Sequence, residues 1–226
     1  MSSQPTPSRP GPDRRTSTLQ KRSSVLPKPS SIVLDVSVLI AQHAQLTGTH
    51  AITVGANSVL HPHCKISSAF APVVLSEGVV VYERAKVGLG IGDSGEVGGD
   101  SRRSSVASAR DASSGRSEGT LLGNNVVIET NAVVEAAEVG EGTVIEVGAV
   151  LGRGCVVGKF CTVSAATVLA PNTNVPDYTV VYSGVERRLD KTLQARPELQ
   201  EMKAFQHARQ IEMFKKLVPN QVVKWM

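Results

Sequence analysis

From Val139 to Val181 an aliphatic residue falls on every sixth position: Val139, Ile145, Leu151, Val157, Val163, Leu169, Val175 and Val181. A helix repeats its apolar positions every 3.6 residues and a strand every 2. A period of six therefore predicts a short strand followed by a turn, over and over. Side chains alternate faces along a strand, so position 1 of each hexad points inward while positions 2 and 6 point outward. Position 5 supports an inward corner and reads Thr143, Ala149, Cys155, Cys161, Thr167, Thr173, Thr179 and Val185, all small or β-branched. Position 2 is rich in glycine (Gly55, Gly123, Gly140, Gly152, Gly158), as expected where the backbone bends tightly, and Asn124, Asn125 and Asn172 tolerate unusual turn dihedrals.

Three hexads close a triangular lap of eighteen residues, and each strand then stacks on the one eighteen residues later, about 4.8 Å away. The architecture predicted is a parallel β-helix with ladders of like residues inside. A sandwich of short strands would instead scatter its spacings with loop length. The pattern opens earlier, at Ile40 and Leu46, and resumes after an eight-residue step at Val54, Leu60 and Ile66. It continues at Leu75, Val81 and Val87, then at Leu122, Ile128 and Val134, with a five-residue step to Val139. Counting these segments gives roughly seven laps.

Two stretches lack the pattern. Residues 1–30 hold six of the twelve prolines and almost nothing apolar, which predicts a disordered Pro/Ser/basic arm. Residues 92–120 are rich in Ser and Gly and predict a flexible insertion thrown out from a corner of the β-helix, which spans 31–186. Its "RRSS" at Arg102–Ser105 would suit a kinase that prefers basic residues upstream, although a solvated loop is the simpler reading. Beyond lies a C-terminal helical extension, 187–226, with Pro197 near a first turn and good helix formers to Leu217. The apolar positions of this helix fall at multiples of three, so its stripe drifts. Either the helix breaks near Ala208 or it wraps over two surfaces; the simpler reading packs it against a flank of the β-helix, and the sharper one has its second half present "IEMFKKL" to a partner.

Charge and composition narrow the functions. The net charge of +4 belongs to the arm, where Arg9, Arg14, Arg15, Lys21, Arg22 and Lys28 face only Asp13; the other residues sum to −1. A nucleic-acid-binding fold would carry its basic stripe on the folded part, so nucleic acid is not an expected partner. No apolar run reaches the roughly 20 residues of a membrane span, and residues 1–30 hold no apolar central block of a secretory signal, so a cytoplasmic chain is the expectation. Cys64, Cys155 and Cys161 are expected to be buried and reduced.

Hexapeptide β-helices include acyltransferases, which use a histidine base in a groove between subunits of a homotrimer, and γ-type carbonic anhydrases, which hold zinc through three histidines. The histidines here are His43, His50, His61, His63 and His207, and none lies in the insertion or the regular run. His61 and His63 would supply at most two zinc ligands. Glu129, Glu135, Glu138, Glu141 and Glu146 read as an acidic, solvated or partner-facing patch. The expectation is no catalytic, cofactor-binding or metal residue, and no enzyme; the alternative is a homotrimeric acyltransferase or γ-carbonic-anhydrase-like enzyme.

The segments "PVVLSEGVVVYERAKV", "LLGNNVVIETNAVVEAAEVGEGTVIEVGAVLGRGCVVGKF", "VVYSGVERRL" and "EMFKKLVPN" together resemble the β-helix subunits of the dynactin pointed-end complex. The resemblance covers about Ser31 to Asn220. It implies an all-β, left-handed parallel β-helix of hexapeptide repeats, of the trimeric LpxA-like class, with a C-terminal α-helix. It also implies a structural role: capping the actin-related filament and supporting dynein-driven, microtubule-based cargo transport in the cytoplasm and cytoskeleton. The implied partners are dynactin subunit 5, actin-related proteins, the zinc-containing pointed-end subunit and, indirectly, dynein. A chain of this kind is expected to be monomeric when isolated, with no cofactor and no membrane insertion.

Overall fold

The computed structural model describes residues 31–90, 119–183 and 186–225. The arm at 1–30, and all but the last residues of the insertion, lie outside these, as do the phosphorylation candidates at Arg102–Ser105.

The chain winds as a three-sided solenoid of parallel strands. The first sheet stacks β1 (Ile32–Leu34), β4 (Ile52–Val54), β7 (Val73–Leu75), β10 (Thr120–Leu122), β13 (Glu138–Val139), β16 (Val156–Val157) and β19 (Asn174–Val175). The second stacks β2 (Leu39–Ile40), β5 (Val59–Leu60), β8 (Val80–Val81), β11 (Val127–Ile128), β14 (Val144–Ile145), β17 (Thr162–Val163) and β20 (Thr179–Tyr182). The third stacks β3 (Gln45–Gly48), β6 (Lys65–Ser68), β9 (Lys86–Val87), β12 (Val133–Val134), β15 (Val150–Leu151) and β18 (Val168–Leu169). That makes six full laps and two sides of a seventh. β10 begins at Thr120, so the strand pattern returns one residue inside the expected insertion.

Strand stacking obeys the six-residue beat. Val139 pairs with Val157 and Val157 with Val175. Every first-position aliphatic from Val139 to Val181 is at most 2% exposed. Each contributes about 1.5–3 kcal/mol by burial. The fifth positions Thr143, Ala149, Cys155, Cys161, Thr167 and Thr179 are buried as well. The glycines at position 2 answer to a different need from the one expected. Gly140 has no left-handed backbone; a Cβ there would stand about 2.6 Å from the backbone of Gly158 in the next lap. Stacked laps leave no room for it. The left-handed turn positions are instead filled by residues such as Asn125 and Asn172, at φ 55° and 58°.

After the solenoid, β21 (Glu186–Leu189) folds back antiparallel onto β20. Two helices follow, α1 (Lys191–Ala195) and α2 (Pro197–Leu217). Asp190 caps α1 by accepting the Leu193 N–H, and Pro197 starts α2. α2 does not break near Ala208. It runs unbroken along the second sheet, where Ile211 joins Leu39, Val59 and Val80, with Tyr82, Phe214 and Val218 around them.

Candidate functional site

Three places on the solenoid gather chemistry: one corner, the face under α2, and the two ends.

The corner joins the third sheet to the first. Early laps carry extra residues there, after β3 and after β6, and the insertion leaves the same corner after β9. Gly48, at φ 135°, lets the backbone pass against Ser68, which a side chain would strike. His50 lies exposed just beyond, and its Nδ1 donates to the Ser68 carbonyl at 2.9 Å. A carbonyl only accepts, so Nδ1 carries the proton in this bond. The buried Ser68 hydroxyl returns a bond to the His50 carbonyl at 2.7 Å, clamping both. Phe70, 67% exposed, stands beside them. A histidine oriented through Nδ1 has the posture of a general base. Sequence reasoning set His50 aside because it lies outside the regular run; its clamp depends on Ser68, a whole lap away.

The other histidines are structural in their contacts. His207 sits buried on α2 and donates through Nε2 to the Gly78 carbonyl at 2.6 Å. His61 is buried between the ring of Tyr82, stacked at 4.7 Å, and the edge of Phe214 at 4.6 Å, and its Nε2 has no hydrogen-bond partner among the described residues. Burial pushes its pKa below the usual 6.5, against the weaker opposing pull of Glu83. His43 and His63 stack on each other at the surface, 5.0 Å apart, at left-handed turn positions of successive laps. Among the described residues no three His, Cys, Asp or Glu side chains are placed to hold a metal ion. The cysteines are buried and unbridged, and burial pushes the Cys64 thiol up to about 12.

The five glutamates do not share one side of the rod. Glu138 and Glu141 lie on and just after β13 of the first sheet, Glu129 and Glu146 follow the paired strands β11 and β14 of the second, and Glu135 follows β12 of the third. The period of six sends successive outward positions to different sides of the triangle. The Glu146 carboxylate accepts the Ala165 N–H at 2.9 Å.

Under α2 lies a groove of about 210 Å³, floored by Val127, Val144 and Phe160 and edged by Glu141 and Lys203.

Both ends of the second sheet are closed by chain from outside the solenoid. At the last lap β21 covers β20, and Arg187 Nη1 donates to the Asn174 carbonyl of β19 at 2.9 Å. At the first lap the tail after α2 does the work. Asn220 Oδ1 accepts the Ile40 N–H at 3.1 Å, Asn220 Nδ2 donates to the Val38 carbonyl at 3.0 Å, and the Gln221 N–H donates to the Ile40 carbonyl at 2.7 Å. These are the groups on β2 that face away from β5, so one side chain and one amide stand in for a missing strand. Val222 and Trp225 then pack against the core. The sequence signal for this cap was present, an apolar pair after a helix-stopping Pro219, but its target 180 residues upstream was not.

Two solved structures match this solenoid along most of their length. One is an acetyltransferase from Bacillus cereus, matched at 15% identity and a TM-score of 0.52, covering 82% of this chain and 92% of that one. The other is a hexapeptide transferase family protein from Anaplasma phagocytophilum, at 10% identity and a TM-score of 0.50, covering 84% and 98%. The fold is that of the hexapeptide transferases. It is a parallel β-helix, as the repeat predicted, and a left-handed one of the LpxA-like kind, as the resemblance implied. No protein-family model matches the chain, and no curated protein matches it in sequence. The likenesses overturn the expectation that the chain is not an enzyme. That expectation rested on where the histidines fall along the sequence, whereas chains sharing this fold are named transferases and His50 is held in the posture of a base. No helix among the described residues is long and apolar enough to cross a membrane.

Proposed function

We propose that the chain is an assembly subunit of the dynactin pointed-end complex, of the subunit 6 type. In this reading it helps cap the actin-related filament beside dynactin subunit 5 and the zinc-containing pointed-end subunit, and supports dynein-driven cargo transport in the cytoplasm. The observation that carries the reading is the role of the C-terminal ending. "EMFKKLVPN" is among the more particular features of the resemblance, and its Asn220 seals the first lap of the rod. A rod with sheet edges closed by its own chain keeps its form while its flanks engage neighbours. The test is affinity capture of the tagged full chain from native extract. Co-recovery of actin-related proteins and dynein subunits in stoichiometric amounts is the expected result; their absence under conditions that preserve dynactin removes the reading.

A second reading, acyl transfer by a homotrimer, is favoured by the clamped His50. Its Nε2 would take a proton from an acceptor hydroxyl or amine, with the acyl carrier supplied at a neighbouring subunit. It predicts a particle of about three times 23.8 kDa in solution and acyl transfer from acetyl coenzyme A that His50→Ala lowers by about 10²–10⁴-fold. A chain without such activity under these conditions removes that reading and leaves the first standing.

A further inference from the structure

α2 is apolar on two sides, and among the described residues only one of them is packed against the solenoid. His207, Ile211, Phe214 and Val218 turn toward the second sheet. At 3.6 residues per turn, Met202, Phe205, Met213 and Leu217 share the opposite side. All four are more than half exposed, Leu217 at 71%. Arg209 lies among them, its guanidinium 5.3 Å from the Phe205 ring. Apolar residues scattered singly on a surface need no explanation, but a row of four along one helix marks a contact surface.

Charge runs along α2 with a direction. The first half carries Glu198, Glu201 and Lys203, two acids against one base; the second carries Arg209, Glu212, Lys215 and Lys216, one acid against three bases. A helix laid antiparallel with the same distribution brings opposite signs together at both ends and opposes the two helix dipoles, whereas a parallel one brings like signs together. α2 of a second copy meets that description.

We propose that the outer face of α2 is a self-complementary interface, through which two copies of this chain pair antiparallel about a twofold axis near Ala208. Met202 then faces Met213 of the second copy, Phe205 lies beside Arg209 of the second copy, and Glu198 lies beside Lys216 of the second copy. The pairing is isologous, so it closes at two and does not propagate. One helix face on each side buries roughly 1,000 Å² in total, the low end for a specific interface, so the dimer is a weak, micromolar one. The inference goes beyond both functional readings. Its test is physical association of the purified chain, whereas theirs are capture from extract and acyl transfer, so the outcomes separate.

The experiment is sedimentation velocity on the full chain from about 1 to 200 µM, spanning micromolar dissociation constants. A reversible monomer–dimer equilibrium is expected. Glu198→Lys with Glu201→Lys should weaken it at least tenfold, and so should Arg209→Glu with Lys216→Glu. Mixing these two variants in equal amounts should restore dimers, now mixed ones. Met213→Gln, at an exposed position that leaves the fold intact by circular dichroism, should weaken pairing with no change of charge. A chain that stays monomeric, forms trimers, or dimerises indifferently to these substitutions overturns the proposal.

Discussion

The laps before the insertion and the laps after it are built from the same strands but to different rules. Before it, Ile32 pairs with Ile52 and Ile52 with Val73, laps of 20 and 21 residues. After it, Leu122 pairs with Val139, a lap of 17, and then Val139 with Val157 and Val157 with Val175, laps of 18. The strands cannot absorb the extra residues, because a ladder fixes their register. The surplus is expelled at one corner, and that corner holds His50, the clamping Ser68 and the exposed Phe70. Strict laps make the rod. Relaxed laps give it a place where side chains are free to act.

The sharpest way to break this contrast is to put a charge into a strict lap. Val157→Asp places an unpaired carboxylate in a fully apolar core, where it costs several kcal/mol and is expected to leave no cooperative unfolding transition. The same change at Phe70, on the relaxed corner, should lower the unfolding free energy by less than about 0.5 kcal/mol. Equal losses at the two sites would refute the division.

Gly140→Ala tests whether the strict laps are limited by space or by turn geometry. The methyl would meet the Gly158 backbone, and overpacking of this kind costs about 1–3 kcal/mol. If space were not limiting, alanine would be tolerated, since Gly140 has no left-handed backbone that would exclude it.

Asn220→Ala asks how far the early laps depend on their cap. It leaves the Ile40 N–H and the Val38 carbonyl without their partners, at a cost of about 1–3 kcal/mol. The sole tryptophan, Trp225, packs beside them, so its fluorescence should report release of the tail before global unfolding.

The smallest effect is that of pH on the early laps. The folded pKa of His61 is lowered by burial, so the unfolded chain takes up its proton first. Its contribution is complete above pH 6.5 and is lost as pH falls from 6.5 through the lowered folded value. Unfolding measured at pH 7 and at pH 5 should show a loss that His61→Phe reduces. A loss undiminished in His61→Phe would assign the effect to other groups.

Much of this was legible in the sequence, and for a local reason. Each hexad buries its own first position, so the inward residues could be named without knowing any long-range contact. Even the slips were visible: the steps of eight residues after Leu46 and of five after Val134 are the laps of 20 and 17 residues. The acidic patch was misread because spacing along the chain does not reveal which side of a triangle a residue reaches. For α2 the drifting stripe left a break near Ala208 and a two-surface helix both open, and the unbroken helix decides for the second.

What the sequence alone determined, then, is the solenoid: its beat, its lining and its small fifth positions, all consequences of contacts that repeat at fixed short separation. What only the tertiary structure decided is everything that joins distant segments. Ser68 orients His50 from a lap away, Tyr82 and Phe214 enclose His61, and Asn220 closes the edge of β2 from 180 residues downstream. Such contacts have no period to betray them, because each is made once, by side chains that the winding of the rod happens to bring together.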